Sequence, residues 1–342
     1  MRQPEVVRLT ALVLALLFVV PVARAGWSAL LAGAFLLEFL THGRSAALSA
    51  LTAAPTRQPF PVPGAGVDLY VRAGLIPGGA LVLVHGLSAD GKDDPRVQEA
   101  AALLSRAGFD VAVPTIPGLT RGRLGHEDVE PVVATLAARP VSSIVVGVSV
   151  GAGPALLAAA DPRVRERVST VLSLGGYASA TEVVRFWLTG AYGYESIRGR
   201  VDHDPEVVRM FVRANTERLD ATTRAILEGT DREAVARLLS APPPDLGRYL
   251  DSLSPLRVAR DIRARLVLVH GRADRAVPYT ESLRLAAARP ERTTLVLVGV
   301  VDHVKGGETS GWRAARDFLA LWRVMYALPS GAQAPAAGRR PA

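Results

Sequence analysis

The chain has no cysteine among its 342 residues. Disulfides, Cys-ligated zinc, iron–sulfur clusters and a cysteine nucleophile are therefore excluded. Lysine is nearly as scarce, with only Lys92 and Lys305, so arginine carries almost all the positive charge. Lys+Arg total 40 against 32 Asp+Glu, a formal net charge of +8. The arginines are scattered, and aromatics make up only 6% of the chain. A nucleic-acid surface concentrates its basic residues and interleaves stacking rings, so no nucleic-acid partner is expected. HExxH is missing and the histidines lack ligand spacing, so neither a metal nor a cofactor is expected. Apolar residues, in contrast, make up 49%, enough for a sizeable core without staples.

Much of that surplus lies near the start. Residues 9–23 form an apolar run after Arg2 and Arg8, and Ala23-Arg24-Ala25 matches a signal-peptidase site. Residues 27–40 are apolar again, interrupted by Glu38. Each run is shorter than the roughly 20 residues of a straight transmembrane helix, and Pro21 and Arg24 mark a break between them. Residues 1–45 are thus expected to be a signal peptide, a single anchor or a helical hairpin, with a buried soluble helix as the remaining alternative. Membrane association is expected through residues 9–40, with export after cleavage as the alternative. Residues 46–66 are rich in Pro and Gly and read as a linker. Residues 329–342 read as a low-complexity tail.

The body alternates strand and helix patterns. Residues 80–85, 143–148, 265–270 and 294–298 are unbroken apolar runs, as in parallel strands buried on both faces. Helical patterns over 94–108, 127–138, 152–160, 281–288 and 311–328 separate or follow them. This predicts an α/β fold, a mostly parallel sheet with helices on both faces, in two parts, 67–176 and 258–328. Between them, residues 177–257 read as an all-helical insertion ended by Pro242-Pro243-Pro244, a helical cap over the ligand crevice.

Gly147-Val148-Ser149-Val150-Gly151 is G-x-S-x-G between a buried strand and a helix. A turn that sharp leaves no room for side chains two residues either side of the serine. It raises the hydroxyl above the sheet edge and leaves the Val150 amide free to donate. A serine nucleophile needs a base. Of six histidines, His85 and His270 end buried strands and are explained by packing or loop hydrogen bonds. His126 and His203 read as solvated, and His42 lies in the N-terminal segment. His303 follows the last strand at the carboxyl edge, where open α/β sheets place their sites. Asp274, just past the preceding strand, is the expected carboxylate partner; Asp302 and a carboxylate within 177–182 are weaker candidates.

The order Ser149, Asp274, His303, with His85-Gly86 after an early strand, resembles the α/β-hydrolase superfamily of serine hydrolases across residues 67–328. The resemblance implies an oxyanion hole built from the amides of Leu87 and Val150. The segment 254–278 is similar to the stretch joining cap to acid in peptidase- and esterase-like members, although the loop GLSADGKDD lacks a second glycine directly after Gly86. It further implies a Ser-His-Asp serine hydrolase acting on a carboxylic ester of a small-molecule or lipid-like substrate. Aminopeptidase-like amide or thioester cleavage, and an inactive binding protein on the same fold, are the alternatives. Gly86 to Lys92 also has the spacing of a phosphate loop, but Asp93 and Asp94 stand where magnesium binding needs Ser or Thr.

Overall fold

The apolar runs of the body become one eight-stranded sheet in the computed structural model. It describes residues 3–74, 79–139, 141–203, 205–215, 219–229, 231–299, 301–302, 305–306 and 311–328. The strands of the sheet are β1 (Thr56–Pro59), β2 (Val67–Val71), β3 (Gly79–Val84), β4 (Phe109–Pro114), β5 (Ser143–Val148), β6 (Val168–Leu174), β9 (Arg265–Gly271) and β10 (Thr293–Val298). Their spatial order is β1-β2-β4-β3-β5-β6-β9-β10. All neighbouring pairs from β4 to β10 are parallel, and β1 and β2 add antiparallel pairings at one edge. Two hairpins lie outside this sheet: β7 (Ala191–Tyr194) with β8 (Ile197–Arg200), and β11 (Val301–Asp302) with β12 (Lys305–Gly306).

Period-two alternation sends the side chains of each strand to two different cores. Val82, Val84, Val145 and Leu268 pack with α5 (Glu130–Ala138), α6 (Ala152–Ala160) and α13 (Thr280–Ala288) on one face. Leu81, Leu83, Val146 and Val267 pack with α1 (Gln3–Leu40), α3 (Pro95–Arg106) and α14 (Trp312–Ala327) on the other. The helix starts follow local chemistry. Asp94 caps α3 by accepting from the Arg96 amide at 2.8 Å, with Pro95 at the first helical position.

The two N-terminal apolar runs are one helix. α1 continues through Pro21 and Arg24, so the expected break, and with it the hairpin reading, is corrected. The runs differ in what surrounds them. Val19, Val20 and Val22 are exposed, whereas Ala32, Phe35 and Leu36 are buried against the sheet and α14. Burying Phe35 and Leu36 contributes roughly 1.5–3 kcal/mol each. The Trp322 indole donates to the Ala29 carbonyl at 2.9 Å. Glu38, the one charge in the second run, is 6% exposed. It accepts from the Leu48 and Ser49 amides at 2.8 and 2.9 Å, at the start of α2 (Ala47–Leu51). This charge belongs to the protein interior rather than to lipid.

The linker and the cap also differ from expectation. Part of the Pro/Gly-rich stretch is β1, paired from Thr56↔Val71 to Pro59↔Asp68. Proline is tolerated there because β1 is an edge strand. The insertion holds α7 (Ala180–Thr189), α8 (Pro205–Asn215), α9 (Ala221–Glu228), α10 (Arg232–Ser240), α11 (Pro244–Ser252) and α12 (Pro255–Val258), but also the β7–β8 hairpin. It is therefore not all-helical. Pro244 opens α11 instead of closing the series, since a helix's first position needs no N–H. The short α4 (Pro117–Thr120) follows β4 beneath this insertion, where the Tyr249 hydroxyl donates to the Leu124 carbonyl at 2.6 Å.

Candidate active site

β5 ends at Val148, and Ser149 starts a single turn that leads into α6. Ser149 has φ of +53°, a left-handed conformation that costs a non-glycine residue energy and persists only where its surroundings impose it. The two flanking glycines show what imposes it. A Cβ on Gly147 would lie 2.5 Å from the Ala152 Cα, and one on Gly151 would lie 2.1 Å from the His85 carbonyl oxygen. The collisions that exclude side chains are with the helix and the neighbouring strand, not between the two flanking residues themselves. Gly86 is less tight but also close, because its Cβ would approach the Ser149 Cβ to 3.2 Å. The loop after β3 thus lies directly against the serine. Leu87 and Val150, the expected oxyanion donors, line the same cavity as Ser149.

Asp274 lies in the loop after β9, with its side chain 1% exposed. Its Oδ1 accepts from the Ala276 and Val277 amides at 2.8 and 3.0 Å, and its Oδ2 lies 3.4 Å from the His270 Nε2. The carboxylate is held by backbone at the carboxyl edge, on the side of the sheet where β10 runs into the β11–β12 ladder. That ladder pairs Val301↔Gly306 and Asp302↔Lys305. His303 lies between its strands and outside the described residues.

The remaining histidines have distinct environments. The Ile116 amide donates to His85 Nε2 at 3.0 Å, which leaves the His85 Nδ1–H to donate to the Gly86 carbonyl at 2.7 Å. Burial pushes the His85 pKa down, so this neutral ring serves as a brace under the oxyanion loop. His270 is fully buried, with Nδ1 2.7 Å from the Ser282 hydroxyl and Nε2 2.9 Å from the Val277 carbonyl. His126 is exposed and lies edge-on to Tyr249. His203 is not solvated as expected. It packs edge-on against Phe186 with ring centroids 4.6 Å apart, its Nε2 is sealed from solvent, and it lines the Ser149 cavity. Burial lowers its pKa. Its neighbours in sequence, Asp202 and Asp204, gave no hint of this, because the enclosure comes from α7.

Other candidate groups are committed elsewhere. Glu182 pairs with Arg185 at 2.8 Å and with Arg284 at 3.4 Å. Glu281 is buried and accepts from the Ala178 and Ser179 amides at 3.1 and 2.8 Å, clamping the chain where it leaves β6 for the cap. In the loop with phosphate-loop spacing, Lys92 lies 3.1 Å from Asp68, and Asp94 takes the Ser88 hydroxyl at 2.7 Å. The lysine therefore ties this loop to the β1–β2 edge. Among the described residues no group of His, Asp and Glu is placed to hold a metal ion.

The cavity at Ser149 has a volume of about 750 Å³. On the cap side it meets Trp187 and Phe211, whose rings stack edge-on at 4.4 Å. The Trp187 indole donates to the Ala276 carbonyl at 2.6 Å, joining the cap to the loop that holds Asp274. These aromatics therefore both hold the cap and wall the cavity.

Residues 81–305 match a family model described as "Alpha/beta hydrolase family", a span that contains Ser149, Asp274 and His303. No curated protein matches the chain. Among solved structures, an acylaminoacyl peptidase of Pyrococcus horikoshii is similar at 14% identity and a TM-score of 0.51, over 87% of this chain and 44% of that one. A puromycin-hydrolyzing peptidase of Mycobacterium tuberculosis is similar at 17% identity and a TM-score of 0.48, over 82% of this chain and 40% of that one. A 2,6-dihydroxy-pseudo-oxynicotine hydrolase is similar at 19% identity and a TM-score of 0.49, over 82% of this chain and 70% of that one. This chain spans less than half the length of the two peptidases.

Proposed function

Because this chain belongs to the alpha/beta hydrolase family, we propose that it is a serine hydrolase that cleaves a carboxylic ester through an acyl-enzyme intermediate. The observation that carries the reading is the left-handed Ser149 at the end of β5, held there by contacts that no side chain at Gly147 or Gly151 could share. An unfavourable serine conformation at a cavity is what nucleophile presentation requires and what an ordinary strand–helix turn does not.

The reaction follows from the roles of the residues. His303 takes the proton of the Ser149 hydroxyl as Oγ attacks the ester carbonyl carbon. Asp274, locked by two backbone amides, fixes the His303 ring and stabilises its charged form. The amides of Leu87 and Val150 meet the oxyanion that develops on the carbonyl oxygen. His303 then returns the proton to the leaving alcohol oxygen, and the C–O bond breaks. Water attacks the acyl-enzyme with the same base, releasing the acid and regenerating Ser149. The apolar lining of the cavity favours an ester with an apolar acyl group.

The N-terminal part of α1 serves in this reading as a membrane anchor. Val19–Leu40 is long and apolar enough to cross a bilayer, but its second half is packed into the fold. Lipid is thus left to residues 9–23, about 22 Å of helix, a short span that bilayer thinning accommodates. Retention in membranes through an alkaline carbonate wash tests this placement.

Fluorophosphonate labelling of the wild type and of Ser149→Ala tests the chemistry. The wild type is expected to label and the variant not, with ester turnover lower by about 10⁴ or more and an unchanged circular dichroism spectrum. Equal labelling of both proteins would falsify the assignment. Turnover of aminoacyl amides or thioesters in preference to esters would redirect it to those substrates.

A further inference from the structure

The cavity at Ser149 does not end under the cap. It continues along the face of the sheet that carries α1, α3 and α14, bordered by Leu83 of β3, Val146 of β5, Leu172 of β6 and Val269 of β9. Its opposite wall includes Phe35 of α1 and Leu321 of α14. These four strands are consecutive in the sheet, so the space crosses about 14 Å at the usual strand spacing. Along α3 it follows Val97, Ala100 and Leu104, about 10 Å of helix.

Protein interiors are packed at crystal density with few voids larger than a water molecule. The part of this cavity of about 750 Å³ that lies between the sheet and its covering helices is therefore read as a binding volume rather than a packing defect. Its apolar walls give water few partners. It starts at the serine, and its wall along the four strands is aliphatic, while Asp94, Arg96, Glu99, Asp202 and Arg275 also line it. A linear alkyl chain suits the aliphatic strand wall, whereas a peptide lying there would bring amides that this wall leaves unpaired.

We propose that this space is the acyl subsite, that it takes a medium- to long-chain fatty acyl group, and that α1 forms one of its walls. The proposal rests on the serine-hydrolase reading above and extends it to the substrate class. Phe35 and Phe39, spaced i and i+4, lay one stripe of α1 along the space, and His42 lines it just past the end of the helix. The stacked rings of Phe35 and Phe39, 5.8 Å apart, form its apolar part. The helix that exposes Val19, Val20 and Val22 thus builds part of the substrate site with its second half. The source of such a chain is then a lipid ester of the bilayer in which α1 is anchored.

Two substitutions narrow the space from different helices, Ala100→Trp from α3 and Val324→Phe from α14. The test uses the full-length protein in detergent with p-nitrophenyl acetate, octanoate and palmitate. In the wild type, kcat/KM is expected to rise with chain length by up to about fourfold per methylene until the space is filled. In each variant the ratio of palmitate to acetate kcat/KM should fall at least about tenfold. Binding of a fluorescent fatty acid, dansyl-undecanoic acid, to Ser149→Ala is the second readout. It should be lost when Ala100→Trp or Val324→Phe is added to that background. A wild type indifferent to chain length, or variants that keep both the wild-type ratio and the probe, overturns the proposal. Probe binding that the variants abolish, in a protein that neither labels with fluorophosphonate nor turns over any ester, retains the tunnel and overturns the hydrolase reading instead.

Discussion

The two faces of the sheet are built from the same strands and are equally apolar, yet one is filled and the other is hollow. On the face carrying α5, α6 and α13, small residues allow close approach. Ala152, Ala155, Ala158 and Ala159 of α6 are all fully buried, and a Cβ on Gly153 would reach within 2.2 Å of the Tyr177 hydroxyl. On the face carrying α1, α3 and α14, larger side chains enclose open space that reaches Ser149. The proposed nucleophile needs a rigid seat, and the filled face supplies one through α6. The proposed acyl chain needs room, and the hollow face supplies that. The division places precision and capacity on opposite sides of one strand layer.

Gly151→Ala would break the filled face most severely. Its Cβ would meet a backbone carbonyl that cannot rotate away, and overpacking of this kind costs about 3 kcal/mol. Urea unfolding should show that loss. Because α6 or β3 must shift to admit the methyl, ester turnover should also fall by about 100-fold or more in whatever remains folded.

A matched pair of truncations sharpens the comparison. Leu156 of α6 is fully buried in the filled face, and Leu172 of β6 borders the hollow one. Leu156→Ala is expected to cost roughly 2–5 kcal/mol, through lost transfer energy and a new cavity. Leu172→Ala should cost at least about 1 kcal/mol less, since that side chain already lacks partners on one side. Equal losses in urea titrations would show that the two faces are packed alike.

The smallest effect concerns a charge that the filled face buries. Asp128 is 2% exposed and accepts from the Gly118 amide at 2.6 Å and the Gly125 amide at 3.1 Å. Burial pushes its pKa up to about 6 despite those two bonds. The folded state therefore holds this proton more tightly than the unfolded chain does. Its contribution to stability is complete below about pH 4 and is lost as pH rises through about 6, an effect on the order of 1–3 kcal/mol. Asp128→Asn should flatten that part of the stability–pH curve, and an unchanged slope would assign it to another group.

The parts of the fold that were legible in the sequence are those with local causes. β5 and α6 coincide with their expected limits, since an unbroken apolar run, a glycine-flanked serine and an alanine-rich helix are all short-range signals. The glycines of the elbow and the capped start of α3 were legible for the same reason. β1 was not, because its residues are a Pro-rich tract by composition and become a strand only by pairing with β2. The β7–β8 hairpin and the α11 start at Pro244 were hidden in a region that reads as helix throughout. Of the cavity lining, Ser149 and Val150 could be placed from the motif and Leu87 from the family resemblance, while His203 could not. Its place at the cavity depends on Phe186, and no local pattern encodes that contact.

By itself, then, the sequence determined the strand–helix alternation, the absence of thiol chemistry and the glycine-flanked turn that carries the proposed nucleophile, Ser149. Each of these follows from residue type and short-range spacing. Only the tertiary structure decided that the second apolar run is an internal helix, while Val19, Val20 and Val22 at the end of the first are exposed. Both are greasy by composition, and burial is a property of what packs beside them. It also decided that one face of the sheet is hollow, because a void arises from how layers are spaced and no single residue encodes it.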